Sequence, residues 1–152
     1  ARRLSRRGIP VKLMADAAAA SYLPEVSRVF VGGDALCPEG LLNKIGTYPL
    51  ALAAREWGVP FFALCGSEKF LPQISPGAAK APKPGRELLS RSLRGVRVVN
   101  YYFDLTPLSL ITGVIWEEGT LAEEALHRKL KEACVHPALS ASSGPKRGRD
   151  AD

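Results

Sequence analysis

Asp34, Asn43 and Lys44 are the residues whose types and spacing can do chemistry in this chain. Asp34 follows Gly32-Gly33, and glycines let the backbone turn sharply and let a ligand come close. A carboxylate there can accept a hydroxyl hydrogen bond or move a proton. Asn43 offers both a donor and an acceptor, and Lys44 a compact positive charge suited to phosphate. The helical pattern that begins at about Asn43 puts both near a helix N-terminus, where free N–H groups and the macrodipole favour an anion. Acid, amide, cation and helix end together are what a sugar phosphate requires. A plainer reading stands beside this one. An Asp after a strand is commonly a turn or cap residue, and Asn-Lys at a helix start is commonly a cap beside a solvated lysine.

Other residues carry less. Asp16 also follows a strand-like run. Gly32 and Gly33 do not make a GxGxxG fingerprint, so dinucleotide binding is not supported. His127 and His136 lie far in sequence from the cluster and read as surface residues. Cys37 is three residues beyond Asp34, but no base partner accompanies it, so a nucleophilic role is not expected. Cys37, Cys65 and Cys134 are odd in number and hold no CxxC pair, which argues against a disulfide framework and a zinc site. No metal or cofactor is expected, and a reducing cytoplasm is the expected compartment. Trp57 and Trp116 fit packing on a helix face better than base stacking.

The elements that must position the cluster follow from periodicity. Val11-Lys12-Leu13-Met14-Ala15 reads as a strand, and Asp16 as the cap of an alanine-rich helix over residues 17–23. Val29-Phe30-Val31 is a strand ending at Gly32-Gly33, followed by a polar loop over 34–40. Residues 43–57 read as a helix with Ile45, Leu52, Ala53 and Trp57 on one face, closed by Gly58 and Pro60. Phe61-Phe62-Ala63-Leu64-Cys65 is an apolar run typical of a strand buried on both faces. Residues 66–95, rich in Pro, Gly and Lys, read as a loop with a short helix near Glu87. A strand over 96–102 follows. Thr106-Pro107 starts a helix that runs to about Glu118, and a last helix covers 121–134. Alternating strands and helices predict an α/β fold with a mainly parallel sheet, right-handed crossovers and helices on both faces. Ligands in such sheets bind beyond the carboxyl ends of the strands, where Asp16, Asp34, Ser67 and Asn100 fall.

Bulk properties set the class. The 152 residues, 46% hydrophobic and 24% charged, suit one soluble domain with a real core. No apolar run approaches the roughly 20 residues of a membrane span, and no signal peptide is evident. The net charge of +6 is concentrated at the ends, at Arg2, Arg3, Arg6 and Arg7 and at Lys146, Arg147 and Arg149. Basic ends can bind nucleic acid. Without interleaved aromatics they read instead as solvated termini, and nucleic acid is not the expected partner. Residues 137–152 are expected to be a disordered basic tail. The first strand starts almost at the chain start and Ala1 is not Met, so the expectation is a processed chain or fragment with earlier strands missing.

With these residues laid out, the chain resembles the C-terminal domain of one superfamily. It unites the alpha, beta and delta regulatory subunits of eukaryotic translation initiation factor 2B, ribose-1,5-bisphosphate isomerase and methylthioribose-1-phosphate isomerase. The resemblance spans about residues 4–120. It rests on Gly8-Ile9-Pro10-Val11, residues 29–36, residues 43–60 and residues 100–119, above all Asn43-Lys44-Ile45-Gly46-Thr47 after a Gly-x-Asp strand end. It implies a three-layer Rossmann-like domain over residues 1–136, N-terminally incomplete, without its first strand and upstream helical domain. It implies a cytoplasmic homodimer acting on a phosphorylated sugar or nucleotide without a cofactor. Asp34 matches the isomerases' acid, which works with a cysteine in the preceding half of the protein. None of Cys37, Cys65 and Cys134 matches that cysteine. Asn43 and Lys44 match substrate-contacting residues, with Gly33 beside them and Lys69 a further phosphate candidate. Glu68-Lys69-Phe70 is similar to the ribose-bisphosphate isomerase and initiation-factor branches. The implied function is an aldose–ketose isomerase of the ribose-1,5-bisphosphate type, inactive as this isolated domain. The alternative is a regulatory subunit that binds a sugar phosphate or nucleotide without catalysis. Three departures stand out: Gly33 replaces the usual alanine, Ser109 stands where relatives often have Glu, and the stretch from Asp34 to Asn43 is one residue short.

Overall fold

The computed structural model describes residues 1–75 and 77–134. Its elements in chain order are α1 (Arg2–Ser5), β1 (Val29–Gly32), β2 (Ala35–Cys37), β3 (Gly40–Lys44), α2 (Thr47–Glu56), β4 (Phe61–Leu64), β5 (Phe103–Thr106), β6 (Gly113–Trp116), β7 (Gly119–Leu121) and α3 (Glu123–Glu132), with several 3-10 turns between them. The main sheet runs β1-β4-β6-β7. Its first three strands are parallel and β7 is antiparallel to β6. The α/β expectation of a mainly parallel sheet holds. A second, antiparallel sheet, β2-β3-β5, was not expected.

The register explains the core. Val31, Ala63, Val114 and Leu121 pair in one row across all four strands, and the last three are buried. Leu36 and Leu41 of the second sheet and Leu126 and Leu130 of α3 close over this row. Each such leucine stabilises the fold by roughly 1.5–3 kcal/mol when taken from water. Leu126 and Leu130 lie one turn apart, so α3 buries a single stripe. Its first turn carries Glu123 and Glu124 and its last Lys129 and Lys131, the arrangement the helix dipole favours. A second cluster joins Ala51 and Ala54 of α2, Leu23, Phe61 and Leu110.

Both clusters use one face of the main sheet, because Phe61, Ala63 and Cys65 share a side of β4. The other face carries Phe30 and Phe62, whose rings stack at 5.7 Å between centroids, and Leu64 and Ile115. Phe30 is 54% and Leu64 47% exposed. α2 and α3 therefore cover one face of a sheet whose sequence is apolar on both.

Several local expectations change. Residues 11–15 and 96–102 belong to no strand, and Leu13 is exposed. The alanine-rich stretch is a 3-10 run, Asp16–Glu25, that Asp16 does not cap with its side chain. The loop expected at 34–40 is a hairpin with a two-residue turn, Pro38-Glu39, between paired Cys37 and Gly40. The helix expected from Asn43 starts at Thr47, because Asn43 and Lys44 are held in the ladder with Asp104 and Phe103 and Gly46 has φ +105°. Its buried residues are Thr47, Ala51 and Ala54, small side chains that let α2 approach the sheet, rather than Ile45, Leu52 and Trp57. Trp57 is exposed. The C-terminus is as read: Gly58 has φ +63°, and bonds from the N–H groups of Gly58 and Val59 to the carbonyls of Arg55 and Ala54 make a Schellman closure.

The helix expected over 106–118 is instead a 3-10 turn, Leu108–Leu110, followed by β6. Thr112, Val114 and Ile115 are β-branched and favour a strand. Gly113 lets β7 come close, since a Cβ there would sit 3.1 Å from the Leu121 carbonyl oxygen. Trp116 accordingly lies on a strand and stacks on Phe70 at 5.9 Å. The tail expected at 137–152, and His136, lie outside the described residues.

Candidate functional site

Gly33-Asp34 leaves β1 at its carboxyl end. A Cβ on Gly33 would sit 2.7 Å from Cys65 Sγ and 2.9 Å from Leu41 Cδ1, so this glycine is required by close approach rather than by backbone angle. Asp34 is exposed. Its N–H donates to the Leu42 carbonyl at 3.0 Å, which ties it to the residue before Asn43. The short stretch from Asp34 to Asn43 thus closes as a tight hairpin and still brings the acid's backbone to the amide's strand.

Asn43 and Lys44 end β3. Asn43 Nδ2 donates to Thr47 Oγ1 at 3.0 Å, and that hydroxyl donates to the Lys44 carbonyl at 2.6 Å. One of the amide's two N–H donors is therefore engaged by the chain itself, while the Lys44 side chain reaches outward. Its Nζ lies 4.2 Å from the centre of the Tyr102 ring, which also receives Lys83 Nζ at 4.8 Å. Cation–π contacts of this exposed kind contribute about 0.5–1 kcal/mol. Tyr102 donates its hydroxyl to Glu87, and Asn100 donates to Glu87 and to the Pro84 carbonyl. The Tyr102 hydrogen bond, first among several influences, holds the Glu87 carboxyl below its ordinary range.

The start of α2 differs from the expected anion seat. Asp104, opposite Asn43 on β5, accepts on Oδ2 from Gly46 N–H at 2.8 Å and Tyr48 N–H at 3.1 Å. The chain supplies its own anion to this helix end. Asp104 Oδ1 is buried and has no hydrogen-bond partner among the described residues. Sequence reasoning passed over Asp104, although it is an acid opening the Asp-Leu-Thr-Pro run of β5.

A cavity of about 400 Å³ opens beside this turn, lined by Ala17, Ala20, Val31, Leu50, Asp16 and Lys44 among others. Asp34, Asn43 and Lys69 are not in its wall. The charges of Glu68, Lys69, Asp34 and Glu117 instead act on the Cys65 thiol. Burial, then Glu68, pushes the Cys65 thiol up to about 11. Cys37 is also buried, which pushes it up to about 11; both are poor nucleophiles at neutral pH. Glu117 accepts from the N–H and hydroxyl of Ser67 at 2.9 Å, which holds it below its ordinary range. His127 is exposed on α3, with Nδ1 2.8 Å from the Glu123 carbonyl. No cluster of three metal-ligating side chains exists among the described residues, and no helix there is long and apolar enough to cross a membrane.

The structure thus brings Asp34, through its N–H bond to Leu42, beside the strand that carries Asn43 and Lys44. It corrects the helix end, which Asp104 already serves.

The chain is 38% identical over 128 residues to methylthioribose-1-phosphate isomerase of Maridesulfovibrio salexigens, covering 78% of this chain and 37% of that protein. It is 35% identical over 136 residues to ribose 1,5-bisphosphate isomerase of Archaeoglobus fulgidus, covering 86% and 44%. Among solved structures it superposes on translation initiation factor eIF-2B subunit delta of A. fulgidus with TM-score 0.73, at 27% identity over 85% of this chain and 41% of that one. On 5-methylthioribose 1-phosphate isomerase of Pyrococcus horikoshii the TM-score is 0.71, at 36% identity over 85% and 38%. The chain spans less than half the length of these relatives. The profile of the Initiation factor 2 subunit family matches residues 1–123, and with relatives above 30% identity over most of the chain, this protein belongs to that family.

Proposed function

We propose that this domain is the sugar-phosphate-binding part of an aldose–ketose isomerase, with Asp34 as the proton-transfer group and Asn43 and Lys44 holding hydroxyl or phosphate. Lys69 is the further phosphate contact. The observation that carries the reading is that Asp34, Asn43 and Lys44 converge at the carboxyl end of a parallel sheet in a chain 38% identical to an isomerase of a phosphorylated sugar. An open sheet of this class binds ligands there. Aldose–ketose isomerisation moves one proton from C2 to C1 and a second from the C2 hydroxyl to the carbonyl or ring oxygen of C1, and an exposed carboxylate beside an amide and an ammonium can shuttle the first. The buried thiols Cys37 and Cys65 take no part. The domain works in a cytoplasmic homo-oligomer, and by itself it turns over little or no substrate.

A second reading has its own support. The A. fulgidus structure with TM-score 0.73 is an initiation-factor subunit, so the same site in a regulatory protein would bind a sugar phosphate or nucleotide without catalysis. The test is a titration with 5-methylthioribose 1-phosphate, ribose 1,5-bisphosphate and a nucleoside monophosphate, read by amide chemical shifts. Sugar-phosphate binding that Lys44→Met abolishes supports the isomerase-type site. A nucleotide bound alone favours the regulatory reading. Measurable turnover by this chain alone contradicts the proposed inactivity.

A further inference from the structure

We infer that the loop over residues 88–99 is a docking strip for an acidic segment of protein in which carboxylates alternate with aliphatic side chains. This inference does not rest on the sugar-phosphate reading.

The sequence there repeats one triplet three times: Arg91-Ser92-Leu93, Arg94-Gly95-Val96 and Arg97-Val98-Val99. Each is a cation followed two places on by an aliphatic residue. All three arginines are exposed, and Leu93, Val96 and Val99 are each more than half exposed. Single apolar residues on a surface are ordinary, but a run of them beside one another marks a contact surface. Residues 88–99 hold no acid. None of the three arginines pairs with a carboxylate or lies over an aromatic ring among the described residues.

The loop is held at its base. Lys83 N–H donates to the Asn100 carbonyl at 2.9 Å, and Asn100 Nδ2 donates to the Pro84 carbonyl at 3.0 Å and to Glu87 at 2.9 Å. Tyr102 donates its hydroxyl to the same carboxylate. Glu87, the acid that precedes the loop, is engaged by this clasp and leaves the arginines unneutralised. At the tip Val96 N–H donates to the Leu93 carbonyl at 3.1 Å, with Gly95 at φ +77°. A loop tied in this way loses less freedom on binding than a loose one.

The partner follows from the chemistry. Guanidinium groups pair with carboxylates in a bidentate fork, and the aliphatic residues between them require apolar contacts. Nucleic acid would supply the charge but needs aromatic rings to stack its bases. The nearest rings, Tyr101 and Tyr102, are half-buried, and Tyr102 is already flanked by Lys44 and Lys83. An anionic membrane surface takes up basic and apolar residues from an amphipathic helix, and no residue from 88 to 99 is helical.

The test is fluorescence anisotropy of a fluorescein-labelled peptide of alternating Glu and Leu, titrated with the full chain. A peptide of alternating Glu and Ser, of the same length, carries the same charge without the aliphatic contacts. The Glu–Leu peptide is expected to bind about tenfold tighter than the Glu–Ser one. Arg91→Ser with Arg94→Ser should weaken its binding about tenfold, at roughly threefold for each exposed charge pair. Leu93→Ser with Val96→Ser should remove the preference for Glu–Leu. Arg2→Ser with Arg6→Ser, in the other basic stretch, should leave binding unchanged. The substituted side chains are exposed, so a thermal melt should show each variant folded. Equal binding of the two peptides, a loop variant that binds as the parent does, or an α1 variant that weakens binding as much as the loop variant overturns the inference. So does an oligo(dT) strand or a phosphatidylserine vesicle bound more tightly than the Glu–Leu peptide.

Discussion

Replacing Gly33 by alanine should destabilise the domain through Cys65, and removing the Cys65 sulfur should undo it. The added Cβ would lie 2.7 Å from Cys65 Sγ, 3.2 Å from Cys65 Cβ and 2.9 Å from Leu41 Cδ1. Leu41 can rotate a methyl aside, but Cys65 is 3% exposed and has nowhere to go. Overpacking of this kind costs about 1–3 kcal/mol. The stiffer unfolded chain returns about 0.4–1 kcal/mol, because Gly33 lies outside the left-handed region. Gly33→Ala should therefore lose about 1–2 kcal/mol net, a fall in Tm of roughly 2–4 °C per kcal/mol for a chain of this length. Cys65→Ala alone empties a sulfur-sized space, at about 1 kcal/mol. The double variant should come out about 1–2 kcal/mol more stable than the sum of the two singles predicts, the size of coupling seen between touching side chains. Urea unfolding followed by circular dichroism gives all four corners of the cycle. Asp34 follows Gly33 directly, so sugar binding should weaken in the single variant and recover in the double. Additivity within about 0.3 kcal/mol would refute the packing argument.

Asp104→Ala should cost about 0.5–2 kcal/mol, since it strips the acceptor from two N–H groups at the start of α2, and a Tm unchanged in a thermal melt would show that water replaces it without loss. Ellman's reagent should meet one fast thiol, Cys134, which is exposed, and two slow ones; Cys37 and Cys65, pushed up to about 11 by burial, should react only as the chain unfolds. Those raised thiols also predict stability that is full below the unfolded thiol pKa of about 8.5 and declines as pH rises toward 11, a decline that Cys37→Ala with Cys65→Ala should flatten. Glu117 behaves oppositely: its carboxyl is held low, chiefly by the Ser67 N–H, so its stabilising effect is present above the ordinary carboxylate range and lost as pH falls through the lowered value. Glu117→Gln should make the acid limb of a Tm-against-pH curve shallower, and an identical limb would count against the Ser67 bond.

Much of the site was legible from local chemistry. Gly32-Gly33-Asp34 after an apolar strand, and the Asn-Lys pair ahead of Gly46, gave both the end of the sheet and the residues at it, because strand-ending glycines and apolar runs report on neighbours in sequence. Gly58 as the closing residue of α2 was readable for the same reason. The helix misplaced over 106–118 shows the limit. Its period suited a helix, and only pairing with Phe62, Ala63 and Leu64 on one side and with β7 on the other makes it a strand. Pairing with β4 is a long-range property that joins Phe62 to Gly113 and Leu64 to Ile115, residues no local period relates.

The sequence alone determined the class of the fold, the family, the apolar strands β1 and β4 and the identity of Asp34, Asn43 and Lys44. Tertiary structure decided what those residues face. It turned the 34–40 stretch into a hairpin and put Asp104 on the helix end reserved in expectation for a ligand. It set the Cys65 sulfur against Gly33 and laid Lys44 on Tyr102. All of these but the hairpin join residues far apart in the chain, and their energies come from burial, hydrogen bonding and charge between surfaces that meet only after the strands have paired.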